Sequence, residues 1–241
     1  MKKPVKRIFT GILILLGLFL VFVIIMVIRY SYSLRQMTPA ETQAINDTVY
    51  CLRDKYVNAY VFKGFNGYIM IDAGMNEKRI TEELAKLEID PDYIMAVILT
   101  HSDPDHAGGL DAFKNASVYM HEEEEQMVTR ETARFVFRSG WKHRARYDLF
   151  ESDDIINIDI FQVKVLHTPG HTPGSCCFVV NDDYLLTGDN LILTDGKYTN
   201  FFDMINMDTE TQVESLKKLP PPSEFEYILT SHTGITKRGE R

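Results

Sequence analysis

The sequence predicts an α+β domain, with two β-sheets between helical layers, preceded by one membrane-spanning helix. Short apolar runs typical of buried strands recur along residues 48–230, separated by turn residues. Amphipathic helical patterns interrupt these runs at residues 76–87 and 208–219. A stretch without any charged residue, residues 8–28, comes before all of them. Strands in groups separated by helices favour sheets packed between helical layers.

The uncharged stretch has the length of a membrane span. Its 21 residues would form a helix of about 30 Å, which matches the hydrocarbon core of a bilayer. The run Arg29-Tyr30-Ser31-Tyr32 follows it without the small-residue pattern of a cleavage site, so an uncleaved anchor is favoured over a signal peptide. Four basic residues precede the span and two follow it closely. This asymmetry predicts a single-pass protein of the cell membrane, with a cytoplasmic N-terminus and an extracytoplasmic domain.

The predicted organisation therefore has two parts. Residues 1–36 would comprise a cytoplasmic stub, the transmembrane anchor in the lipid bilayer through residues 8–28, and a juxtamembrane segment; residues 30–46 would be a polar linker. Residues 37–241 would form the globular domain. Helices are expected to begin after the N-cap residues Asn76 and Asp208. Strands are expected at Thr48–Leu52, Ala59–Phe62, Tyr68–Ile71, Tyr93–Leu99, Ser117–Met120, Ile155–Ile158, Phe161–Leu166, Ser175–Val180, Tyr184–Thr187 and Tyr227–Thr230.

Charge and cysteine content exclude some function classes. Residues 37–241 carry 20 basic and 34 acidic residues, a net charge of −14, so nucleic acid is not an expected partner. The acidic run Glu122–Glu125 is expected to be a solvated turn. The three cysteines are odd in number and two are adjacent, so they form no disulfide framework, and Cys176 and Cys177 are expected to be small packing residues.

The run Thr100-His101-Ser102-Asp103-Pro104-Asp105-His106-Ala107-Gly108-Gly109 is the strongest functional signal. It places two imidazoles and two carboxylates within six residues, directly after an apolar strand. Imidazoles and carboxylates are the ligands that borderline divalent metals prefer. Side chains two residues apart in an extended loop point the same way, so His101 and Asp103 can face one metal. Asp105 and His106, at the turn, can face a second.

Three further segments place a polar side chain at a strand end. His171 lies between two Pro-Gly turns, Asp189 follows the apolar strand at residues 184–187, and His232 follows the strand at residues 227–230. Strand ends along one edge of a sheet can converge on a single cleft. The sequence contains no Gly-x-Ser-x-Gly motif, so a serine hydrolase is disfavoured.

In this order, the four segments resemble the metallo-β-lactamase superfamily over about residues 47–236, and Thr168–Ser175 is most similar to its glyoxalase II and lactonase-like branches. The resemblance implies a four-layer αββα sandwich, with an Asp72 turn that supports the metal loop. It implies two divalent metal ions. His101, Asp103 and His171 would hold the first, Asp105, His106 and His232 the second, and Asp189 would bridge them.

The motif departs from the family pattern at one position. The pattern is His-x-His-x-Asp-His, and Asp103 replaces its second histidine. A carboxylate is a harder donor than an imidazole, which makes Fe or Mn possible, although a mixed nitrogen and oxygen site accepts Zn readily and Zn is expected first. A carboxylate at this position also occurs in flavodiiron proteins, which use Glu. Their redox function is disfavoured, because no flavodoxin-like domain is present in this sequence and a partner would have to supply one.

The expected function is that of a membrane-anchored metal-dependent hydrolase of a small ester, thioester or lactone. Two metal ions lower the pKa of a bridging water from about 15.7 toward about 7, and the resulting hydroxide attacks the carbonyl. Asp105 is the expected catalytic residue, because it can ligate metal and also orient the nucleophile or pass a proton. Two alternatives remain: a phosphodiesterase acting on cell-envelope material, and a non-catalytic metal-binding sensory protein. True β-lactamase activity is disfavoured by Asp103 and the anchor.

Two further expectations concern residues outside this set. The basic, aromatic segment at residues 124–150 is a candidate lid or substrate-facing element, with a plain surface helix pair as the alternative. Isolated histidines are usually ordinary core or surface residues, and this is expected of His121, His143 and His167.

Overall fold

The structure is a computed structural model that describes residues 3–133, 146–194 and 197–239. The chain forms two compact units, residues 1–37 and residues 38–241.

The first unit contains one long helix, α1 (Lys3–Arg35). Within the described residues, it is the one helix long and apolar enough to cross a membrane, over Ile8–Arg35. The predicted linker at residues 30–46 is wrong for its first six residues, because the helix continues to Arg35. No glycine or proline interrupts the chain there, and the Ser33 hydroxyl donates to the Arg29 carbonyl at 3.2 Å.

Two main sheets form the second unit. The first sheet has strand order β1 to β7, antiparallel from β1 to β4 and parallel from β4 to β7. Its strands are β1 (Gln43–Ala44), β2 (Val49–Asp54), β3 (Val57–Lys63), β4 (Tyr68–Ile71), β5 (Ile94–Ile98), β6 (Ser117–His121) and β7 (Tyr147–Phe150).

The second sheet has strand order β15-β14-β11-β10-β9-β8, and it is antiparallel except where β11 pairs with β14. A separate two-stranded antiparallel sheet consists of β12 and β13. These strands are β8 (Ile155–Ile158), β9 (Phe161–His167), β10 (Cys176–Val180), β11 (Tyr184–Leu186), β12 (Leu191–Thr194), β13 (Lys197–Asn200), β14 (Tyr227–Thr230) and β15 (Gly234–Lys237).

The hydrophobic core lies between the two sheets. Alternate residues of the first sheet, such as Phe62 and Ile98, pack against Val165 and Phe178 of the second, and all four are buried. Cys176 packs in the same cluster and Cys177 on the opposite face of β10; both are free thiols, as expected of packing residues.

Helices or turns cover the outer faces of both sheets, which gives the expected four-layer αββα order. Helix α2 (Glu77–Lys86) buries Ile80 and Leu84 against the first sheet, and the Asn76 side chain caps its first turn as predicted. Two one-turn helices, α3 (Pro104–Ala107) and α4 (Glu125–Val128), follow β5 and β6. Helix α5 (Thr209–Leu216) begins after the predicted N-cap Asp208, and it ends before Leu219, which packs on the second sheet.

The site residues follow strand ends at one edge of the sandwich. Backbone hydrogen bonds join the two sheets there: the Cys176 N–H donates to the Thr100 carbonyl at 2.9 Å. The Tyr60 hydroxyl, from the first sheet, donates to the Thr230 carbonyl of the second at 2.7 Å. These links hold the loops of both sheets at a common edge.

Candidate metal centre

The first ligand loop connects β5 to helix α3. Asp103 has extended backbone dihedrals, and Pro104 begins the helix, where its fixed φ and missing N–H are tolerated. The turn that follows carries Asp105 on the solvent side and buries His106 completely. A single loop thus directs four polar side chains toward the edge of the sandwich.

The second ligand loop follows β9. The Thr172 N–H donates to the Ser175 hydroxyl at 2.9 Å, and the Gly170 N–H donates to the Thr172 carbonyl at 3.0 Å. These turns hold His171, which is fully buried, at the strand end.

Asp189 and His232 come from the parallel pair β11 and β14. Gly188 has φ +51°, and a Cβ there would lie 2.8 Å from the Thr100 Cβ, so only glycine fits at this approach to the first loop. The turn places the buried Asp189 carboxylate beside the His106 ring. His232 lies two residues beyond the end of β14 and is also buried.

The two oxygens of Asp189 face different sets of side chains. Its Oδ2 lies 3.3 Å from His171 Nε2 and 4.0 Å from His101 Nε2. Its Oδ1 lies 3.0 Å from His232 Nε2 and 3.2 Å from His106 Nε2. The carboxylate thus separates a pair of histidines on each side.

The aspartates of the first loop complete the two sets. Asp103 Oδ2 lies 3.2 Å from His171 Nε2 and 3.5 Å from His101 Nε2. Asp105 Oδ2 lies 3.6 Å from His232 Nε2 and 3.8 Å from His106 Nε2. The structure therefore brings all seven sequence-predicted residues together: His101, Asp103, Asp105, His106, His171, Asp189 and His232.

Every imidazole of the cluster is held through its Nδ1 atom. His106 Nδ1 lies 2.8 Å from Asp72 Oδ2, and His232 Nδ1 lies 2.6 Å from the Tyr56 carbonyl. His171 Nδ1 lies 3.1 Å from Asn206 Oδ1. A carbonyl or carboxylate oxygen only accepts, so these Nδ1 atoms carry the proton and the Nε2 lone pairs face the centre.

His101 follows the same rule through a relay. The Thr100 hydroxyl donates to the Asp72 carboxylate at 2.9 Å, which leaves its oxygen to accept from His101 Nδ1 at 3.1 Å. Asp72 also accepts from the Thr100 N–H at 2.8 Å. One buried carboxylate therefore orients two of the four rings.

The donor set fits a pair of divalent metal ions. The Nε2 atoms of His101, His106 and His232 and the Oδ1 atom of Asp189 are buried without a hydrogen-bond partner among the described residues. Such orphaned lone pairs are costly unless a cation occupies the space between them. Donor atoms around a tetrahedral ion at about 2.1 Å lie about 3.4 Å apart, close to the separations in each set.

The electrostatics of the cluster favour cations. Burial by itself would lower the pKa of His106, but the carboxylates of Asp189, Asp72 and Asp105 outweigh it and raise the pKa. Burial would likewise raise the pKa of Asp189, but the surrounding histidines hold it well below its usual range. The carboxylates thus stabilise positive charge here, whether carried by protons or by metal ions.

The centre opens to solvent on one side. The side chains of Asp103 and Asp105 are 18% and 20% exposed, whereas the other five residues are at most 5% exposed. The buried ring of Phe201 packs against two of the imidazoles, with its centroid 5.1 Å from that of His171 and 5.4 Å from that of His232. A substrate would therefore approach from the side of the two aspartates.

Sequence reasoning missed several residues that support the centre. Glu124 was expected in a solvated turn, yet it is 1% exposed and accepts hydrogen bonds from both ligand loops. Gln212 donates to the Asp189 carbonyl at 3.1 Å and accepts from Asn206 at 2.7 Å. A single glutamate within an acidic run gives no sign of its burial, so the pattern offered no signal for it.

The other expectations have separate outcomes. Residues 134–145, the middle part of the candidate lid at residues 124–150, lie outside the described residues, as does His143. His121 and His167 stack on each other, with ring centroids 3.9 Å apart, and His167 Nε2 lies 2.9 Å from the Pro173 carbonyl of the second ligand loop.

The comparisons with known proteins agree with this geometry. The family model described as the metallo-beta-lactamase superfamily matches residues 52–232. The chain belongs to this superfamily. It is a metal-dependent hydrolase with the metallo-β-lactamase fold, and superfamily members bind divalent metal ions.

The names of two curated relatives specify a substrate. The hydroxyacylglutathione hydrolase GloC of Haemophilus influenzae is 27% identical over 71% of this chain and 82% of its own length. An N-acyl homoserine lactonase of Bacillus thuringiensis is 30% identical over 59% of this chain and 56% of its own length. Among solved structures, the subclass B3 metallo-beta-lactamase MEM-A1 from a soil metagenome library superposes with a TM-score of 0.64. It is 15% identical and covers 82% of this chain and 81% of that enzyme.

Proposed function

We propose that this protein is a membrane-anchored hydrolase that uses two divalent metal ions to cleave a small carboxylic ester, thioester or lactone. The observation that carries the proposal is the position of Asp189, whose oxygens each face a separate set of histidine and aspartate donors. A purely structural metal site would be closed to solvent and would not need a carboxylate shared between two sets of donors.

The proposed ligands follow from the two sets. His101, Asp103 and His171 would hold the first metal ion, at what we term the first position. Asp105, His106 and His232 would hold the second metal ion, at the second position, and Asp189 would bridge the two. The orphaned Nε2 atoms and the outward-facing lone pairs support this assignment.

When bound, the metal ions would activate water as a nucleophile at neutral pH and polarise the substrate carbonyl. Asp105, on the open side, would orient the nucleophile and accept or return a proton at its carboxylate. Its Oδ2 faces His232 and His106, which leaves the carboxylate at the boundary between the donors and solvent. Asp72 would keep His106 in the tautomer that presents a lone pair.

Zinc is the proposed metal, with iron or manganese as the alternatives that Asp103 allows. Asp103 contributes an oxygen donor 3.2 Å from His171 Nε2, so the first position has two imidazoles, Asp103 and a shared carboxylate. Harder oxygen donors shift preference toward iron and manganese relative to an all-histidine set. We expect Asp103→His to raise the ratio of zinc to manganese bound at equal supply, measured by elemental analysis.

The names of two relatives specify a hydroxyacylglutathione and a lactone as substrates. These names favour a carboxylic ester, thioester or lactone as the substrate of this protein. The net charge of −14 on residues 37–241 disfavours polyanionic substrates. Both observations argue for acyl rather than phosphodiester chemistry.

We also propose that α1 anchors the protein, with the hydrolase domain at residues 37–241 outside the cytoplasm. The side chains of residues 8–28 are exposed along an apolar helix, which would be unfavourable in water but is suited to lipid. An uncleaved anchor predicts that the full-length mass is found in the membrane fraction and resists carbonate extraction. A shorter mature chain in the soluble fraction would identify the segment as a signal sequence instead.

The hydrolase proposal is tested on the full chain purified in detergent. Elemental analysis should find two divalent metal ions per chain, and a panel of esters, thioesters, lactones, phosphodiesters and β-lactams should show turnover in the first three classes. Turnover of phosphodiesters alone would favour the phosphodiesterase alternative. A chain that holds metal but turns over none of the panel would favour a sensory role, and a chain without divalent metal would refute the proposal.

A further inference from the structure

Glu124 occupies an unusual position for a glutamate within an acidic run. It follows β6 in a one-turn helix, where its neighbours Glu122 and Glu123 are exposed. Its own side chain points into the domain and is 1% exposed. A buried carboxylate persists only when hydrogen bonds compensate for its lost hydration.

The Glu124 carboxylate accepts four hydrogen bonds, two from each ligand loop. Its Oε1 accepts from the Ser102 N–H at 2.8 Å and from the Ser102 hydroxyl at 2.6 Å. Its Oε2 accepts from the Thr172 hydroxyl at 2.6 Å and from the Gly174 N–H at 3.1 Å. One oxygen thus binds each loop.

These contacts lie next to the ligands of the first position. Ser102 is between His101 and Asp103, and Thr172 directly follows His171. The first position is assembled from these two loops, which are distant in sequence. Among the described residues, Glu124 makes no such contact next to His232 of the second position, which is held by the Tyr56 carbonyl. Asp72 orients one ring of each position, His106 directly and His101 through Thr100.

Gly174 shows that the close approach of Glu124 is built into the second loop. A Cβ at position 174 would lie 2.3 Å from the Glu124 backbone nitrogen and 2.4 Å from its Cβ. Any larger residue would push the two segments apart. The pairing therefore requires glycine on one side and a side chain of the length of glutamate on the other.

We infer that Glu124 is a positioning residue that joins the two ligand loops and thereby sets the metal affinity of the first position but not of the second. The inference rests on the proposed ligand assignment. With the loops joined in advance, the donors of the first position need no rearrangement when the metal ion arrives.

The test measures zinc affinity at each position separately, by chelator competition on the full chain in detergent. His232→Ala leaves only the first position complete, and His171→Ala leaves only the second. Glu124→Gln is then introduced into each background. Its amide keeps one acceptor oxygen but turns an N–H₂ group toward the second loop, where the Gly174 N–H loses its acceptor. Glu124→Asp keeps the charge but is too short to reach both loops.

Both substitutions should weaken zinc binding about 10- to 100-fold in the His232→Ala background and less than about twofold in the His171→Ala background. Glu122→Gln, an exposed neighbour with the same change of charge, is the matched control and should change neither affinity. If Glu124→Gln fails to fold, Gly174→Ala makes the same comparison from the other loop.

Equal weakening at both positions would mean that Glu124 only stabilises the fold, and unchanged affinity at the first position would mean that the loops hold themselves; either result overturns the inference. If the unaltered chain binds no zinc, iron or manganese, the proposed function itself fails.

Discussion

Replacing Asp72 by asparagine removes the carboxylate that orients two rings of the candidate metal centre. Asp72 is 1% exposed and lies directly after β4. Its oxygens accept from the Thr100 N–H at 2.8 Å, from the Thr100 hydroxyl at 2.9 Å and from His106 Nδ1 at 2.8 Å. Asparagine has nearly the same shape, so the substitution changes the hydrogen-bonding pattern without leaving a cavity.

The asparagine amide cannot satisfy all of these donors. With its oxygen toward Thr100, its N–H₂ group meets the His106 Nδ1–H; with the amide turned over, the N–H₂ group meets the Thr100 N–H. His106 can relieve the first conflict only by moving its proton to Nε2, the atom that faces the centre. Loss of a hydrogen bond to a charged group costs about 1.5–3 kcal/mol, and a comparable loss in metal binding is about a 10- to 100-fold weaker affinity.

The assay is chelator competition for zinc on the full chain in detergent, with thermal unfolding of the metal-free chain measured alongside. Asp72→Asn should weaken binding at the second position, which contains His106, by that 10- to 100-fold factor. Asp111→Asn removes the same charge from an exposed residue near the same loop and is the control. If the two variants bind zinc equally well at the second position, the reasoning about the His106 tautomer is refuted.

Three further outcomes are expected. Asp105→Asn should lower kcat about 10²- to 10⁴-fold, because the amide accepts no proton, while elemental analysis still finds at least one metal ion per chain; unchanged kcat would exclude a catalytic role. Phe178→Ala should lower the free energy of unfolding by about 3–5 kcal/mol in urea titrations, because this ring is fully buried between the sheets, whereas Phe65→Ala, at an 85% exposed side chain, should change it by less than about 0.5 kcal/mol. Burial, and then the charge of the stacked His167, lower the pKa of His121 to about 4. Only the unfolded chain then binds this proton between about pH 6.5 and pH 4. As the pH is lowered across that window, the free energy of unfolding should therefore decrease by up to about 1.4 kcal/mol per pH unit. His121→Gln should reduce this slope in urea titrations at pH 5 and pH 7.5, and an unchanged slope would contradict the assignment.

Regular elements with a strong periodic pattern were predictable from the sequence. The strands at Tyr68–Ile71, Ile155–Ile158 and Tyr227–Thr230 have the predicted bounds, and both long domain helices begin after their predicted caps. Apolar alternation and capping side chains act within a few residues, so a linear pattern contains them. Two of the missed strands are β1, which has two residues, and β15, whose sequence Gly-Ile-Thr-Lys contains a single apolar residue. Their pairing with β2 and β14 comes from tertiary contacts.

By itself, the sequence determined seven candidate ligands in segments that follow strands, and their donor chemistry predicts a dinuclear metal centre. It could do so because metal donors are few in kind and their local spacing is visible in the chain. Only the tertiary structure decided how these donors are oriented: the Asp189 carboxylate lies between two sets, and Asp72 and Asn206 hold the rings through Nδ1. It also decided that Glu124 is buried between two loops 70 residues apart in sequence, since Ser102 and Thr172 both bind it. Burial depends on what the rest of the chain packs around a side chain, and no local pattern records that.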